Sequence, residues 1–263
     1  MHNEHPYHFQ AHRGGMDEVY ENTLTAMRYA WTFSHAIPET DVRQLTDGTL
    51  VCCHDGTLER TGTGEADLLA KPLASMSLAE LRRIDVGGGE QVPLLSDLLA
   101  LMQEERGRSL YLEIKGAPLG GVLAMLRDYQ VLDRIRFVHK EQAFCKKVQA
   151  LLPQALTMTW CSGSPEQIVQ HFHALADSGF NGITEVQIHF PALMEEEELR
   201  SPLPQGFLQE ALQITEDHKR VLQVCPITPS PQLLRYLYKE GVRSFVSNAP
   251  RAFSAMMAKA LRS

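Results

Sequence analysis

Short apolar runs alternate with longer segments in which apolar residues recur every three or four positions, and this alternation continues through almost the entire chain. A run of four to eight apolar residues is typical of a buried strand, whereas the wider spacing is typical of a helix with one buried face. The pattern predicts eight strands, at residues 7–12, 36–42, 110–115, 134–139, 156–161, 182–188, 221–227 and 244–249.

The helices between these strands are predicted from the residues at their ends. In "SPEQIVQHFHALADSG" we expect Ser164 to cap the helix, Pro165 to take its first position and Gly179 to end it. The segment "SPQLLRYLYKEG" at 230–241 has the same signature, and "SDLLALMQEERG" predicts a helix that stops at Gly107.

The regular alternation predicts the α/β class, and eight strand and helix units predict a TIM-type (β/α)8 barrel. An open doubly wound sheet is the alternative, but no GxGxxG motif follows the first strand to support it. We expect a single barrel domain over residues 1–263. After the second strand, a Thr-Asp-Gly turn at 46–48 predicts a hairpin, and a small insertion is expected at about residues 56–94.

The net charge and the cysteines indicate which binding partners and which cellular compartment are expected. The net charge is −7 and no cluster of Lys and Arg is visible, which disfavours nucleic acid and anionic membranes as partners. No apolar run is long enough to span a bilayer and the N-terminus lacks a secretion signal, so we expect no stable membrane insertion. Five cysteines without CxxC spacing favour reduced thiols and a cytoplasmic location.

Acidic residues stand where a buried strand usually has apolar ones. Glu39 and Asp41 share one face of the second strand, and Glu113 falls near the end of the third. Two like charges about 4 Å apart repel by about 4 kcal/mol at an effective dielectric near 20, so three converging carboxylates need a counter-charge. A divalent cation supplies it, and oxygen ligands favour Mg²⁺ or Ca²⁺ over zinc. The alternative is that these acids are salt-bridged strand ends that point outward.

Two histidines and two cations fall at the same predicted edge of the sheet. His12 and His54 each follow an apolar run, and two imidazoles that face a bound substrate are able to act as general acid and general base near neutral pH. A lone histidine at a strand end is more often structural. Arg13 and Lys115 are suited to bind a phosphate.

The series "AHRGG…ENTLTAMRYA…ETDVRQLTDGTLVCCHDGTLERTGTG…VPLLSDLL…LYLEIKG" closely resembles the glycerophosphodiester phosphodiesterases in residue order and spacing, over residues 11–116. The resemblance implies a TIM-type barrel, one divalent cation, and hydrolysis of a small-molecule glycerophosphodiester to glycerol 3-phosphate and an alcohol. It implies that the site residues have these roles: metal ligands Glu39, Asp41 and Glu113; acid and base His12 and His54; phosphate-binding Arg13 and Lys115; supporting Glu21, Asn22 and Asp55.

The chain departs from the family pattern away from these residues. It has "VCPIT" on the seventh strand where the family has a tryptophan-centred motif, and "SNAP" places Asn248 where an acid is usual. We therefore expect a reshaped pocket for the alcohol or for the glycerol, lined by Trp160, Glu185 and Gln187. Two other functions stay open: a lysophospholipase D on the same scaffold, and a non-catalytic barrel that serves as a binding module.

Overall fold

All eight predicted strands are present in the computed structural model of the protein, which describes residues 7–195 and 198–262. The strands within these residues are β1 (His8–Ala11), β2 (Ala36–Gln44), β3 (Leu50–Cys52), β4 (Leu110–Ile114), β5 (Ile135–Val138), β6 (Leu156–Cys161), β7 (Glu185–Phe190), β8 (Leu193–Glu195), β9 (Glu198–Arg200), β10 (Val221–Pro226) and β11 (Ser244–Ser247). The helices are α1 (Leu24–Trp31), α2 (Ala66–Leu69), α3 (Leu78–Leu81), α4 (Leu95–Gln103), α5 (Leu119–Asp128), α6 (Gln142–Leu151), α7 (Pro165–Asp177), α8 (Phe207–Asp217), α9 (Pro231–Glu240) and α10 (Pro250–Arg262).

The main sheet has the strand order of a closed parallel barrel. Its order is β1-β11-β10-β7-β6-β5-β4-β2-β3, and β1 pairs with β2 as well. The strand β3 is the addition to the eight barrel strands, because it pairs antiparallel with β2 across the predicted Thr-Asp-Gly hairpin. The strands β8 and β9 form a separate two-stranded hairpin. The predicted α/β class and TIM-type (β/α)8 barrel are confirmed.

Helix starts follow the predicted caps more closely than helix ends. Ser164 caps α7 and forms the expected capping box with Gln167. In contrast, α4 ends at Gln103 rather than at Gly107, because Arg108 Nη1 donates a hydrogen bond of 2.5 Å to the carbonyl of Leu101 and so satisfies one carbonyl of the last turn. A side chain that folds back on the helix end is not visible in a spacing pattern.

The sixth barrel strand, β7, begins later than predicted. It was expected at 182–188, but β7 starts at Glu185. Gly182 has a φ of 81°, and a Cβ there would lie 2.7 Å from the backbone of Lys146, so this glycine belongs to a tight turn rather than to a strand.

The chain divides into two compact units, one of Met1–Gln10 with Phe137–Ser263 and one of Ala11–Arg136. The first unit has an aromatic core that includes Phe9 and Phe253, whose ring centroids are 4.7 Å apart. The second contains β2, β3, β4 and the expected insertion. The single-domain organisation stays a prediction. No helix within the described residues has both the length and the apolar character needed to cross a bilayer.

The insertion after β3 has its own short helices and its own core. It contains α2 and α3, and the capping box of Ser77 and Glu80 starts α3. Apolar side chains from the insertion and from the adjoining hairpin form their own core: Leu45, Val51, Cys53, Leu58, Leu68, Leu73, Met76, Leu81, Ile84, Val86 and Val92. This core gives the segment a fixed shape from which polar side chains can be positioned.

Candidate metal and catalytic site

Three acidic side chains meet on β2 and β4. Glu39 and Asp41 are two residues apart on β2 and therefore share one face. In the parallel pairing of β2 with β4, Asp41 lies opposite Glu113. One carboxylate oxygen from each of the three acids lies within 4.8 Å of the others. The spacing in the sequence and the strand register thus bring together all three predicted ligands.

The turn after β1 carries His12 and Arg13 to Glu39. Arg13 and Gly14 have φ values of 51° and 78°, in the left-handed region that an arginine rarely adopts. A Cβ on Gly14 would lie 2.7 Å from the Cβ of Ala26, so only glycine lets this turn pack against α1. The turn directs the backbone N–H of Arg13 to Glu39 Oε2 at 2.8 Å and places His12 Nε2 3.9 Å from the same oxygen.

Asn22 joins the loop before α1 to the acidic cluster. Its φ of 56° is left-handed, a conformation that asparagine tolerates. Asn22 Nδ2 donates to Asp41 Oδ2 at 3.1 Å, and Thr40 Oγ1 donates to Asn22 Oδ1 at 2.6 Å. Its backbone N–H donates to the carbonyl of Arg13 at 3.0 Å. The predicted supporting residue thus contacts Asp41 directly and orients its carboxylate.

The β2 and β3 hairpin returns the chain to the acids and places His54. The Cys53 N–H donates to the carbonyl of Asp41 at 2.9 Å, and Arg43 donates to the carbonyl of His54 at 2.6 and 3.0 Å. Asp55 Oδ1 lies 2.6 Å from His54 Nδ1. This contact assigns the ring proton to Nδ1 in the neutral imidazole, which leaves Nε2 as the proton acceptor.

The acids strongly perturb one another. Burial raises the pKa of Glu39 well above its usual range, and the charges of Asp41 and Glu113 raise it further. Burial, and then the charge of Asp41, raise the pKa of Glu113 to about 7. Burial opposes ionisation of Asp41 too, but the nearby Lys115 ammonium and further contacts with the carboxylate outweigh it and hold its pKa below the ordinary value.

Lys115 lies among the acids that it was predicted to accompany. Its Nζ is 2.9 Å from Asp41 Oδ1 and 3.3 Å from Glu113 Oε2. One ammonium leaves part of the negative charge of three carboxylates unbalanced. The three acids are largely buried, and their oxygens lie within 4.8 Å of one another. A cluster of hard oxygen donors with an incomplete counter-charge fits a divalent cation such as Mg²⁺ or Ca²⁺.

Sequence reasoning missed Arg60, which holds two of the predicted supporting residues. Arg60 donates to both carboxylate oxygens of Glu21 at 2.7 Å and to Asp55 Oδ2 at 2.7 Å. Glu21 Oε1 also accepts from Arg13 Nη1 at 3.1 Å. The signal was present, because Arg60 lies in the "LERT" segment of the motif series, but no chemistry pointed to a role.

The predicted pocket residue Glu185 has a different role. It is the first residue of β7, whereas substrate sites of barrels lie at the carboxyl ends of strands. Its side chain is buried and accepts hydrogen bonds from Ser244 Oγ at 2.8 Å and Gln223 Nε2 at 3.2 Å. The prediction that Glu185 lines a pocket is therefore wrong. The roles of Trp160 and Gln187 stay predictions.

Sequence comparison gives the same family as the motif series. A model of the Glycerophosphoryl diester phosphodiesterase family matches residues 12–174. A glycerophosphodiester phosphodiesterase of Caldanaerobacter subterraneus subsp. tengcongensis is 32% identical over 102 residues, which are 36% of this chain and 40% of that protein. A probable glycerophosphodiester phosphodiesterase 1 of Mycobacterium tuberculosis is 41% identical over 83 residues, 32% of this chain and 28% of that protein. The matched regions thus span less than half of these relatives.

Solved structures resemble the whole fold. A putative glycerophosphoryl diester phosphodiesterase of Silicibacter pomeroyi superposes with a TM-score of 0.75 at 21% identity, over 96% of this chain and 93% of that one. An Oleispira antarctica phosphodiesterase in complex with the product sn-glycerol-3-phosphate gives a TM-score of 0.73 at 21% identity, over 95% and 96% of the two chains. At this level of identity the likeness shows the fold.

Proposed function

Because the chain belongs to the glycerophosphoryl diester phosphodiesterase family, we propose that it hydrolyses glycerophosphodiesters to glycerol 3-phosphate and an alcohol, with the help of one divalent cation. The observation that carries the proposal is the acidic cluster, in which oxygens of Glu39, Asp41 and Glu113 lie within 4.8 Å of one another. Without a cation this cluster is electrostatically unfavourable, since each acid raises the cost of ionising its neighbours. The glycerol 3-phosphate complex of the Oleispira antarctica protein supports the choice of substrate class.

The three acids would hold the cation, Mg²⁺ or Ca²⁺, which when bound supplies a Lewis acid for a phosphoryl or hydroxyl oxygen. Glu39 Oε2 already accepts the backbone N–H of Arg13 at 2.8 Å, so this carboxylate is fixed before any ion arrives. Asn22 fixes Asp41 in the same way at 3.1 Å. The ligands are therefore preorganised by hydrogen bonds from the chain itself.

The two imidazoles are proposed as the general acid and general base. His54 Nδ1 is engaged by Asp55, so Nε2 takes up or delivers the proton at the reacting oxygen. His12 Nε2 lies 3.9 Å from Glu39 Oε2, beside the three acids, and His12 would donate the proton to the leaving alkoxide. One group removes a proton from the attacking oxygen while the other returns one to the departing oxygen.

Phosphate recognition is proposed for Arg13 and Lys115. The Arg13 side chain is largely buried, and its Nε has no hydrogen-bond partner within residues 7–195 and 198–262. A buried donor without a partner is costly, and an anionic phosphoryl oxygen would satisfy it. Lys115 lies beside Asp41 and Glu113, and its ammonium would add positive charge at the same place.

The remaining proposals concern the setting of the reaction. We expect a single barrel domain that works in the cytoplasm on a small molecule, without nucleic acid and without stable membrane insertion. The net charge of −7 supports the absence of nucleic acid as a partner. Five free cysteines, four of them buried, support a reducing compartment.

The experiment is a panel assay on the purified protein. Glycerophosphocholine and glycerophosphoethanolamine should release glycerol 3-phosphate, detected by a coupled enzyme. Excess chelator should abolish the release, and added Mg²⁺ or Ca²⁺ should restore it. The His54→Ala variant, purified in the same way, controls for contaminating hydrolases and should be inactive.

Three other outcomes would contradict the proposal. Choline release from lysophosphatidylcholine alone would point to a lysophospholipase D. Binding of the panel without turnover would point to a binding module, and full turnover in excess chelator would remove the metal from the reaction.

A further inference from the structure

The guanidinium of Arg60 binds two carboxylates, and each of these contacts a different residue of the proposed active site. Its Nη1 and Nη2 bind the two oxygens of Glu21 at 2.7 Å, and its Nε binds Asp55 Oδ2 at 2.7 Å. The other oxygen of Asp55 contacts His54 Nδ1 at 2.6 Å, and Glu21 Oε1 accepts from Arg13 Nη1 at 3.1 Å. The contacts therefore form one continuous polar series, which we call the Arg60 bridge. It runs through His54, Asp55, Arg60, Glu21 and Arg13.

The geometry of the Arg60 bridge sets it apart from an ordinary surface ion pair. The Arg60 side chain is 46% exposed, and exposed ion pairs usually contribute little to stability. Here, however, all three guanidinium nitrogens are used, one carboxylate is bound by two of them, and the Glu21 side chain is only 10% exposed. Burial opposes ionisation of Glu21, yet the hydrogen bond from Arg60 and the charges of Arg13 and Arg60 lower its pKa.

The backbone on both sides of Arg60 is fixed. The Leu58 N–H donates to the carbonyl of Leu69 at 2.9 Å, and the Gly62 N–H donates to the carbonyl of Leu58 at 2.7 Å. Leu58 is fully buried in the core of the insertion. A Cβ on Gly62 would lie 2.7 Å from a Leu69 methyl and 2.8 Å from a methyl of Ile84, so the chain turns tightly just after the arginine. Arg60 thus projects from a rigid support.

The insertion contacts the segment of residues 12–25, which runs from the end of β1 into α1, at two further points. The ring of Tyr20 lies against Gly87, where a Cβ would come within 2.2 Å of it. The Thr25 N–H, in the first turn of α1, donates to Glu90 Oε2 at 3.4 Å. The insertion therefore contacts this segment on both sides of Glu21, and Arg60 makes the charged contact between them.

We propose that Arg60 is a positioning residue: by bridging Asp55 and Glu21 it sets the imidazole of His54 and the guanidinium of Arg13 in register with each other. The inference rests on the proposed function, in which one of these groups transfers a proton and the other binds phosphate. A displacement of about 1 Å is able to reduce turnover about 10²-fold. The relative position of the His54 ring and the Arg13 guanidinium therefore matters, and the Arg60 bridge fixes it. Lysine cannot replace it, since a single ammonium lacks the planar fork that reaches two carboxylates at once.

The test uses the Arg60→Met and Arg60→Lys variants of the full chain, with Arg83→Met as the matched control. Arg83 lies in the same insertion and is ion-paired with Glu65, but it has no contact in the Arg60 bridge. The first measurement is ¹⁵N NMR of the His54 ring and of the Arg13 guanidinium, which needs neither substrate nor turnover. We expect both signals to move in Arg60→Met and in Arg60→Lys, and neither to move in Arg83→Met.

The second measurement is steady-state turnover of the best substrate in the panel. We expect kcat/KM to fall about 10²-fold in Arg60→Met, with an increase in KM through Arg13 and a decrease in kcat through His54. In an Arg60→Ala variant, whose short side chain leaves room for the added group, ethylguanidinium at millimolar concentration should restore part of the rate, which a role confined to folding would not produce. The melting temperature should stay close to that of the wild type.

The two readouts separate the failure of this inference from the failure of the proposed function. Unchanged His54 and Arg13 signals in Arg60→Met would overturn the positioning role, whatever the activity. If both signals move but the wild type does not turn over any member of the panel, the positioning role stands and the proposed reaction is wrong. If the melting temperature falls steeply and ethylguanidinium gives no rescue, Arg60 supports the fold alone and the inference is lost.

Discussion

Buried acids on two strands of this protein have different neighbours. Glu185, at the start of β7, accepts hydrogen bonds from Ser244 Oγ and Gln223 Nε2 and lies 3.9 Å from His8 Nε2, so its desolvation is offset locally. Glu39 and Asp41 on β2 lie instead beside a third acid, and burial and mutual repulsion raise the pKa of Glu39. A buried acid with hydrogen-bond donors and no other acid beside it indicates a structural role, whereas further acids beside it indicate a site suited to a cation.

The largest expected effect is on turnover, and it comes from removing one of the three clustered acids on β2 and β4. Glu39→Gln keeps the shape of the side chain, but a neutral amide oxygen is a poorer ligand, so turnover should fall about 10³-fold or more, equivalent to about 4 kcal/mol of barrier. In chelator the variant should be at least as stable as the wild type, because a repulsion is gone. Addition of Mg²⁺ or Ca²⁺ should raise the melting temperature of the wild type but not of the variant.

A metal-dependent rise in melting temperature of equal size in Glu39→Gln would break the comparison. The acids of β2 would then be another structural cluster. Glu104→Gln is a suitable control for nonspecific ion effects, since Glu104 is about half exposed and pairs with Arg28 and Arg108 away from the three acids.

Replacement of Glu185, whose carboxylate has hydrogen-bond donors of its own, should change stability rather than turnover. Glu185→Ala leaves the Ser244 hydroxyl and the Gln223 amide without their buried acceptor, so the free energy of unfolding should fall by about 2 to 3 kcal/mol. Glu185→Gln retains an acceptor oxygen and should cost less than about 1 kcal/mol. Denaturant unfolding of both variants measures the difference. Equal losses would show that the charge of Glu185, and not its acceptor oxygen, matters.

The smallest expected effect is a dependence of stability on pH without metal. Burial, and then Asp41, raise the pKa of Glu113 from 4.5 to about 7, so the folded protein keeps a proton that the unfolded chain releases. The stability that this retained proton contributes is fully present below about pH 4.5 and is lost as the pH rises through about 7. The free energy of unfolding should therefore fall by about 1 to 3 kcal/mol over this range. Glu39, whose pKa is raised too, contributes a loss of the same sign.

Denaturant titrations in chelator at pH 5 and pH 8 measure this slope, which is the change in the free energy of unfolding with pH. Glu113→Gln should flatten it, and bound Mg²⁺ or Ca²⁺ should reduce or reverse it in the wild type, because a cation favours the ionised acids. An unchanged slope in Glu113→Gln would assign the pH dependence to other groups.

The features that could be predicted from the sequence are those set by short-range rules. The period of two placed Glu39 and Asp41 on one face, and the Thr-Asp-Gly turn gave the hairpin that returns His54 to the acids. The alternation of strands and helices gave the barrel order. Each of these follows from neighbours in the chain.

The features that escaped prediction depend on contacts between distant segments. Arg60 meets Glu21 from 39 positions away in sequence, and no local pattern records such a contact. Glu185 falls in the middle of the strand predicted at 182–188, and the later start of β7 makes it the first residue of the strand instead. The position of Lys115 between Asp41 and Glu113 depends on the register of β2 with β4 and on the direction of a long side chain.

The hairpin strand β3 has a consequence for how minimal such an enzyme can become. His54 and Asp55 follow β3, an antiparallel detour beside the eight parallel strands, rather than one of those strands. A pruned version that ran directly from β2 to β4 would keep the three carboxylates on their own strands, yet it would lack an imidazole and the arginine that orients it. One of the two proposed proton-transfer groups therefore depends on an accessory segment, so shortening that segment is expected to change the chemistry as well as the length of the chain.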